Sequence, residues 1–202
     1  MIELVKSQFT KGQEALLNND YDLANEVLAN EKRVNACELQ LDKDCEKILA
    51  LYNPVAVDLR FVLATFKMNS ELERIGDNAE SIANFIKDMP GAFSKEMIDQ
   101  YQVNLMYDTA LSMFDDAMAA FTEEDTRRAR KVFQKDDLLD DINYKANKQA
   151  LDSIKSDPSN EWQYLTLLSI IRKLERVGDQ STNMAEEIIF YIEAKVLKHK
   201  MK

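Results

Sequence analysis

Two carboxylates recur at helical spacing in each half of the chain. Glu73 and Asp77 stand four residues apart within Leu-Glu-Arg-Ile-Gly-Asp, and Glu175 and Asp179 repeat that spacing 102 residues later within Leu-Glu-Arg-Val-Gly-Asp. Residues four apart lie on one face of an α-helix, so each pair predicts two neighbouring carboxylates. Like charges at this spacing destabilise a helix, and collected carboxylates need cations or shifted pKa values. The pairs are therefore candidate cation ligands.

A second set of polar side chains precedes each pair at the spacing i, i+4, i+7. The set comprises Glu31, Asn35 and Glu38 in the first half, and Asp136, Asp140 and Asn143 in the second. This spacing predicts one helical face in each half. An antiparallel bundle can place that face opposite the carboxylate pair, which would give one cluster of oxygen ligands per half. Oxygen ligands favour Mg²⁺, Mn²⁺, Ca²⁺ or an iron species, and the sequence does not choose among them.

The motif also repeats a glycine, at Gly76 and Gly178. A glycine inside a helix costs ~1 kcal/mol relative to alanine, so a close neighbour is the expected compensation. That neighbour is either a ligand shell or simply another helix. A third interpretation needs no ligand: Arg74 pairs with Asp77, and Arg176 with Asp179, on a solvated acidic face.

Composition and periodicity predict an all-α fold. The chain of 202 residues is 46% apolar and contains only four Gly and three Pro, which favours long helices with short connections. The internal repeat predicts two pseudo-repeated three-helix bundles, residues 1–89 and 90–202, divided at Met89-Pro90-Gly91. Apolar stripes and helix breakers predict six helices at about 1–17, 20–51, 54–88, 94–121, 124–155 and from 159 through Ile192 into the lysine-rich tail.

Charge and residue usage exclude several classes of protein. A formal net charge of −10 argues against nucleic acid as a partner and favours metal cations or basic protein surfaces. The sequence has neither a run of ~20 apolar residues nor a signal peptide, so we expect a cytoplasmic protein. Cys37 and Cys45 would lie roughly 12 Å apart on one helix, too far for a disulfide.

Catalysis has little support in the residue pattern. The only histidine, His199, is in the tail, which argues against zinc sites of His and Cys and against di-iron sites that need Glu-x-x-His. There is no nucleophile beside a base and no phosphate-binding glycine loop. We therefore expect a non-enzymatic protein. A carboxylate-bridged metalloenzyme acting on a small phosphorylated or oxidisable molecule, and a purely structural helical scaffold, are the other two interpretations.

The duplicated Leu-Glu-Arg-Ile-Gly-Asp stretch resembles the mark of the PhoU family of phosphate-signalling regulators, whose Glu-x-x-x-Asp motif occurs once in each of two three-helix bundles. The segment Asn-Pro-Val-Ala-Val-Asp-Leu-Arg at 53–60 also resembles the family's Pro…Asp-Leu-Arg start of the third helix. The positions of Asn35, Glu38 and Asp140 on the second helices add to the match. The resemblance covers nearly the whole chain.

The resemblance implies a metal-binding regulator that couples a phosphate ABC transporter to a membrane sensor histidine kinase, represses the phosphate-starvation response and restrains phosphate uptake. Its implied partners are the transporter ATPase and the kinase, with a homodimer also expected. The implied metals are Mg, Mn or Fe, with Zn a further candidate. The implied ligands are Glu31, Asn35, Glu38, Glu73 and Asp77 in one cluster and Asp136, Asp140, Glu175, Asp179 and Asn183 in the other. Because Ser81 replaces the family's asparagine in the first copy, we expect the first site to be altered or empty.

Overall fold

The computed structural model describes residues 1–197, and in that range it contains seven α-helices, one 3₁₀ turn and no β-strand. The all-α fold class is therefore confirmed. None of the helices in this range is both long and apolar enough to span a bilayer. The helices are α1 (Ile2–Asn18), α2 (Tyr21–Tyr52), α3 (Ala56–Asp88), α4 (Lys95–Gln100), α5 (Val103–Glu123), α6 (Thr126–Ser156) and α7 (Glu161–Glu193), with the 3₁₀ turn at Pro158–Asn160.

Polar residues set the ends of α2 as the sequence predicts. The Asp20 carboxylate accepts hydrogen bonds from the backbone N–H groups of Asp22 and Leu23, at 2.9 and 3.0 Å, and so caps the first turn. Asn53 takes the left-handed conformation, with φ 45°, and ends the helix. The prediction that Pro54 lies in the first turn of α3 is wrong, because Val55 is still extended and acts as the N-cap before Ala56.

The predicted helix over 94–121 is in fact two helices, α4 and α5. Gln102, between them, has φ 53° and cannot continue a right-handed helix. The preceding residue, Tyr101, is buried, and its ring stacks on Tyr164 with 6.1 Å between centroids. Burial of this ring is the tertiary contact that accompanies the break. Neither Gly nor Pro marks the position, so local sequence signals do not reveal it.

Two groups of three helices share one hydrophobic core. Helices α1, α2 and α3 pack on one another, α5, α6 and α7 do the same, and α3 lies against α7 between the groups. The buried apolar side chains of both groups form a single cluster. The α3–α7 contact joins the two halves into one core, so the core does not mark a boundary at residue 89. The division there stays a prediction. The tail, including His199, lies outside the described residues, and α7 ends at Glu193.

Helices α3 and α7 run antiparallel around a local twofold axis. Going along α3, Lys67 bonds to Glu187 and Asn78 to Gln180, so partner numbers fall on α7 as they rise on α3. Asn78 and Gln180 are themselves 102 residues apart, the spacing of the repeated motif. Their 3.0 Å hydrogen bond therefore joins equivalent positions of the two repeats, as expected where a twofold axis passes between the helices. The carboxylate pairs lie in the middle of these two helices.

Candidate metal centres

The first acidic cluster lies between α2 and α3. Glu31 on α2 is buried, with 4% of its surface exposed, and its Oε2 accepts a 2.9 Å hydrogen bond from the Gln8 amide. Its other oxygen, Oε1, is buried without a hydrogen-bond partner. Burial raises the pKa of Glu31, and nearby Asp77 raises it further, although the Gln8 hydrogen bond lowers it. Glu31 thus combines a deep position with one unused acceptor.

Two more carboxylates of the first cluster, Glu73 and Glu38, have raised pKa values because of burial and then because of repulsion from nearby carboxylates. Burial raises the pKa of Glu73 to about 7, and repulsion from Asp77, Glu38 and Glu31 contributes after it. The pKa of Glu38 is raised by burial and then by Asp42 and Asp77. The structure therefore brings the α2 face and the motif pair of α3 together as one interacting group of negative charges.

The second acidic cluster repeats this arrangement between α6 and α7. Burial raises the pKa of Asp136 to about 6, with further repulsion from Asp140, Asp179 and Glu175. The pKa of Glu175 is also raised, first by burial and then by Asp179 and Asp140, while a hydrogen bond from Asn143 opposes the increase. Asp136 Oδ1 is buried without a hydrogen-bond partner, as Glu31 Oε1 is in the other half.

The repeated glycines provide the space for the buried carboxylates. A Cβ atom on Gly76 would lie 3.2 Å from Glu31 Oε2, and one on Gly178 would lie 3.3 Å from Asp136 Oδ1 and only 2.5 Å from Leu139 Cδ1. Close packing of the second helix therefore confirms the helix interpretation of the glycines, and the ligand-shell interpretation stays a prediction. The absence of a side chain allows α2 to approach α3, and α6 to approach α7, at the level of the motif.

Two of the predicted ligands make no described hydrogen bond to a carboxylate of the clusters. Asn35 is exposed, and no hydrogen bond described for residues 1–197 joins its side chain to the first cluster. The amide of Asn183 donates to Glu71 Oε2 on α3 at 3.3 Å, so it points to the other half of the molecule. Arg74 also bonds to Glu71, at 3.0 Å, and not to Asp77 as the solvated-face interpretation has it.

The sequence pattern did not identify two buried amides around the first cluster, Gln8 and Asn69. Gln8 of α1 is completely buried against Glu31, and Asn69 of α3 donates to the Glu38 carbonyl at 2.9 Å and to Asp42 Oδ1 at 2.8 Å. Both amides had a signal in the sequence. Gln8 is a polar residue between the apolar positions Val5 and Phe9, and Asn69 precedes Glu73 by one helical turn.

The donor set fits hard cations in chemistry, but the side chains are not arranged as a finished coordination sphere. In the described part of the chain, no group of three or more His, Cys, Asp or Glu side chains is positioned to hold a metal ion. Each cluster nevertheless contains a buried, unpartnered carboxylate oxygen surrounded by other carboxylates. Such oxygens suit Mg²⁺ or Mn²⁺ once neighbouring side chains rotate toward them.

Comparison with known proteins places this geometry in a family. The family model described as "PhoU domain" matches residues 1–86 and 103–188. The crystal structure of PhoU from Pseudomonas aeruginosa superposes with a TM-score of 0.91 at 29% identity, covering 96% of this chain and 93% of that one. The phosphate transport system regulatory protein PhoU from Streptococcus pneumoniae superposes with a TM-score of 0.86 at 26% identity, covering 96% and 91%.

Curated relatives match over nearly the whole length. The "phosphate-specific transport system accessory protein PhoU homolog" of Aquifex aeolicus is 31% identical over 98% of this chain and 89% of its own. The "phosphate-specific transport system accessory protein PhoU" of Escherichia coli K12 is 29% identical over 97% of this chain and 80% of its own. With the family domain matched in both halves and the repeated motif on α3 and α7, the chain belongs to the PhoU family.

Proposed function

We propose that this protein is a non-enzymatic accessory regulator of a phosphate-specific transport system and that it binds metal cations at its two acidic clusters. The observation that carries the regulatory role is the full-length match to relatives named as accessory or regulatory proteins of phosphate transport. The observation that supports cation binding is the buried, unpartnered carboxylate oxygen at repeat-equivalent positions, on Glu31 and Asp136.

The regulatory proposal names its partners. We infer that the protein couples the ATPase of a phosphate ABC transporter to a membrane sensor histidine kinase, in the cytoplasm, and restrains phosphate uptake when phosphate is plentiful. The net charge of −10 suits contact with basic protein surfaces. Cosedimentation of the full chain with each purified ATPase or kinase domain, with and without phosphate, tests this role. The role would be contradicted if the chain cosedimented with neither domain, whether phosphate was present or absent.

The metal proposal assigns a ligand set to each half. The first site would use Glu31, Glu38, Glu73 and Asp77, and the second would use Asp136, Asp140, Glu175 and Asp179. A bound cation would supply positive charge that offsets both the burial and the mutual repulsion that raise the pKa values of Glu73 and Asp136. Mg, Mn and Fe suit these oxygen donors better than Zn does. Asn35, which is exposed, and Asn183, which bonds to Glu71, stay predicted ligands outside this core set.

Elemental analysis of protein purified without added metal tests the second site. Changing Glu175→Gln together with Asp179→Asn should lower the bound metal by about half, since the first site remains. The matched control changes Asp152→Asn and Glu161→Gln, two exposed carboxylates outside the clusters, and should keep the wild-type metal content. Unchanged metal in the Glu175→Gln/Asp179→Asn protein would refute the assigned ligands.

One observation favours a second candidate, a carboxylate-bridged metalloenzyme. Glu73 has a pKa of about 7, which suits a side chain that gives and takes protons near neutral pH. A screen with small phosphorylated and oxidisable substrates, in the presence of Mn²⁺, distinguishes the two. Turnover that the Glu73→Gln variant loses would support the enzyme and contradict the non-catalytic proposal.

A further inference from the structure

The two acidic clusters differ at one position of the helix that lies behind them. Gln8 on α1 and Met113 on α5 are 105 residues apart, the same spacing that separates Glu31 from Asp136. Both side chains are completely buried. Gln8 has a polar end and Met113 does not, although the two side chains are similar in length. The two positions are therefore equivalent in the fold, but their side chains differ in chemistry.

In the first half, the buried carboxylate has a hydrogen-bond donor. Gln8 Nε2 donates to Glu31 Oε2 at 2.9 Å and to the Val27 carbonyl at 3.3 Å. The Gln8 side chain also packs on the motif glycine, since its Oε1 is 3.4 Å from where a Cβ of Gly76 would lie. A buried charge that accepts a fixed hydrogen bond is partly compensated even when no cation is present.

In the second half, the same place is apolar. Met113 Cε is 3.5 Å from where a Cβ of Gly178 would lie, which is the place that the Gln8 amide takes beside Gly76. Asp136 Oδ1 lies 3.3 Å from that same point, and none of the hydrogen bonds described for residues 1–197 reaches the Asp136 side chain. A thioether cannot donate a hydrogen bond. Asp136 is thus a partly exposed carboxylate whose buried Oδ1 lies against an apolar surface, with other carboxylates nearby.

We propose that the side chain at this position, Gln8 in one half and Met113 in the other, sets how strongly each half depends on a bound cation for its stability. Gln8 is a positioning residue: it fixes one oxygen of Glu31 and leaves the other for a cation, as outer-shell hydrogen bonds do in metal sites. No hydrogen bond described for residues 1–197 reaches Asp136 Oδ1, so a cation there supplies the compensation that Gln8 gives to Glu31. The inference rests on the proposed cation binding.

The test compares melting temperatures of the full chain in chelator and in Mn²⁺. Gln8→Met gives the first half the apolar side chain of the second, and we expect the melting temperature in chelator to fall by about 5 °C because Glu31 loses its donor. Mn²⁺ should recover much of that loss, so the Mn²⁺-induced rise becomes larger than in the wild type. Gln13→Met is the control, because Gln13 lies on the same helix but bonds to Asp108 of α5 instead.

The reciprocal variant keeps the test decisive even if Gln8→Met fails to fold. Met113→Gln supplies Asp136 with a donor of similar size, so its Mn²⁺-induced rise should be smaller than that of the wild type. Met113→Leu changes the packing without adding a donor and should keep the wild-type rise. An Mn²⁺-induced rise equal in Met113→Gln and Met113→Leu would overturn the proposal, as would equal losses for Gln8→Met in chelator and in Mn²⁺.

Failure of cation binding itself gives a different result. If Mn²⁺ raises the melting temperature of none of these proteins and calorimetry detects no Mn²⁺ binding, the metal proposal is wrong, and with it the cation dependence inferred here. The role of this position as a hydrogen-bond donor is then tested by the melting temperatures measured in chelator. If Met113→Gln has a higher melting temperature than Met113→Leu, a hydrogen-bond donor at this position stabilises the fold without a cation. If its melting temperature is no higher, the donor role is wrong as well.

Discussion

Alanine substitution at three helical glycines should give three different effects on stability. The interior of a helix favours alanine over glycine by ~1 kcal/mol, and this gain applies to Gly12, Gly76 and Gly178 alike. What differs is the space for the new methyl group. A Cβ on Gly12 would contact only the Tyr107 hydroxyl at 3.5 Å, an ordinary distance. Gly12→Ala should therefore raise the free energy of unfolding by up to about 1 kcal/mol.

The two motif glycines should lose this gain in part or entirely. A Cβ on Gly76 meets Glu31 Oε2 at 3.2 Å and Val34 Cγ1 at 3.3 Å, so its neighbours must shift by a few tenths of an ångström. We expect a net change near zero. A Cβ on Gly178 meets Leu139 Cδ1 at 2.5 Å, and Leu139 is fully buried. Overpacking of this kind costs ~1–3 kcal/mol, so Gly178→Ala should be destabilised by up to about 2 kcal/mol.

Urea unfolding followed by far-ultraviolet circular dichroism in chelator measures this order. A double-mutant cycle with Leu139→Val checks the cause, because shortening Leu139 should relieve the contact and make the pair less destabilising than the sum of the single changes. The reasoning would be refuted if Gly178→Ala were as stable as Gly12→Ala, or if Leu139→Val had the same effect in both backgrounds. Either result would mean that Gly178 does not set the approach of α6 to α7.

Two further predictions concern charge and the contact between the halves. The folded-state pKa of Glu73, about 7, lies above its ordinary value, so the folded protein holds a proton that the unfolded chain has released, and stability should fall as pH rises from about 4.5 to 7. Glu73→Gln should flatten that fall in chelator, as measured by urea unfolding across this pH range, and an unchanged slope would contradict the assignment. Asn78 and Gln180 should be coupled across the twofold axis by ~0.5–1 kcal/mol in an alanine double-mutant cycle, and simple additivity would show that their hydrogen bond contributes nothing.

The overall fold could be predicted because its signals are local. Asn53-Pro54 and Asp157-Pro158 end long apolar stripes, and the helices observed there end at Tyr52 and Ser156. The break between α4 and α5 could not be predicted, because it coincides with burial of Tyr101 against Tyr164, more than sixty residues away. Tertiary contacts of this kind leave no periodic pattern in the sequence.

The candidate site divides in the same way. Carboxylates spaced by one turn on a single helix share a face whatever the packing, so Glu73 with Asp77 and Glu175 with Asp179 could be paired from the sequence. Gln8 comes from a third helix, and its contact with Glu31 depends on how α1 packs against α2 and α3. Helical spacing predicts which side chains of one helix point in the same direction. It does not predict which residues of other helices they contact.

The contacts between helices also show a difference between the two halves that the sequence pattern does not predict. The sequence places the difference at Ser81 and Asn183, which occupy equivalent positions after the motif. In the structure Asn183 bonds to Glu71, and Ser81 lines a cleft with Lys173, so both lie at the contact between α3 and α7. Substituting one for the other alters how the halves meet, at a cleft that Asp77 also lines. The difference that reaches a buried carboxylate is on the first helix of each bundle, where Gln8 donates a hydrogen bond and Met113 cannot.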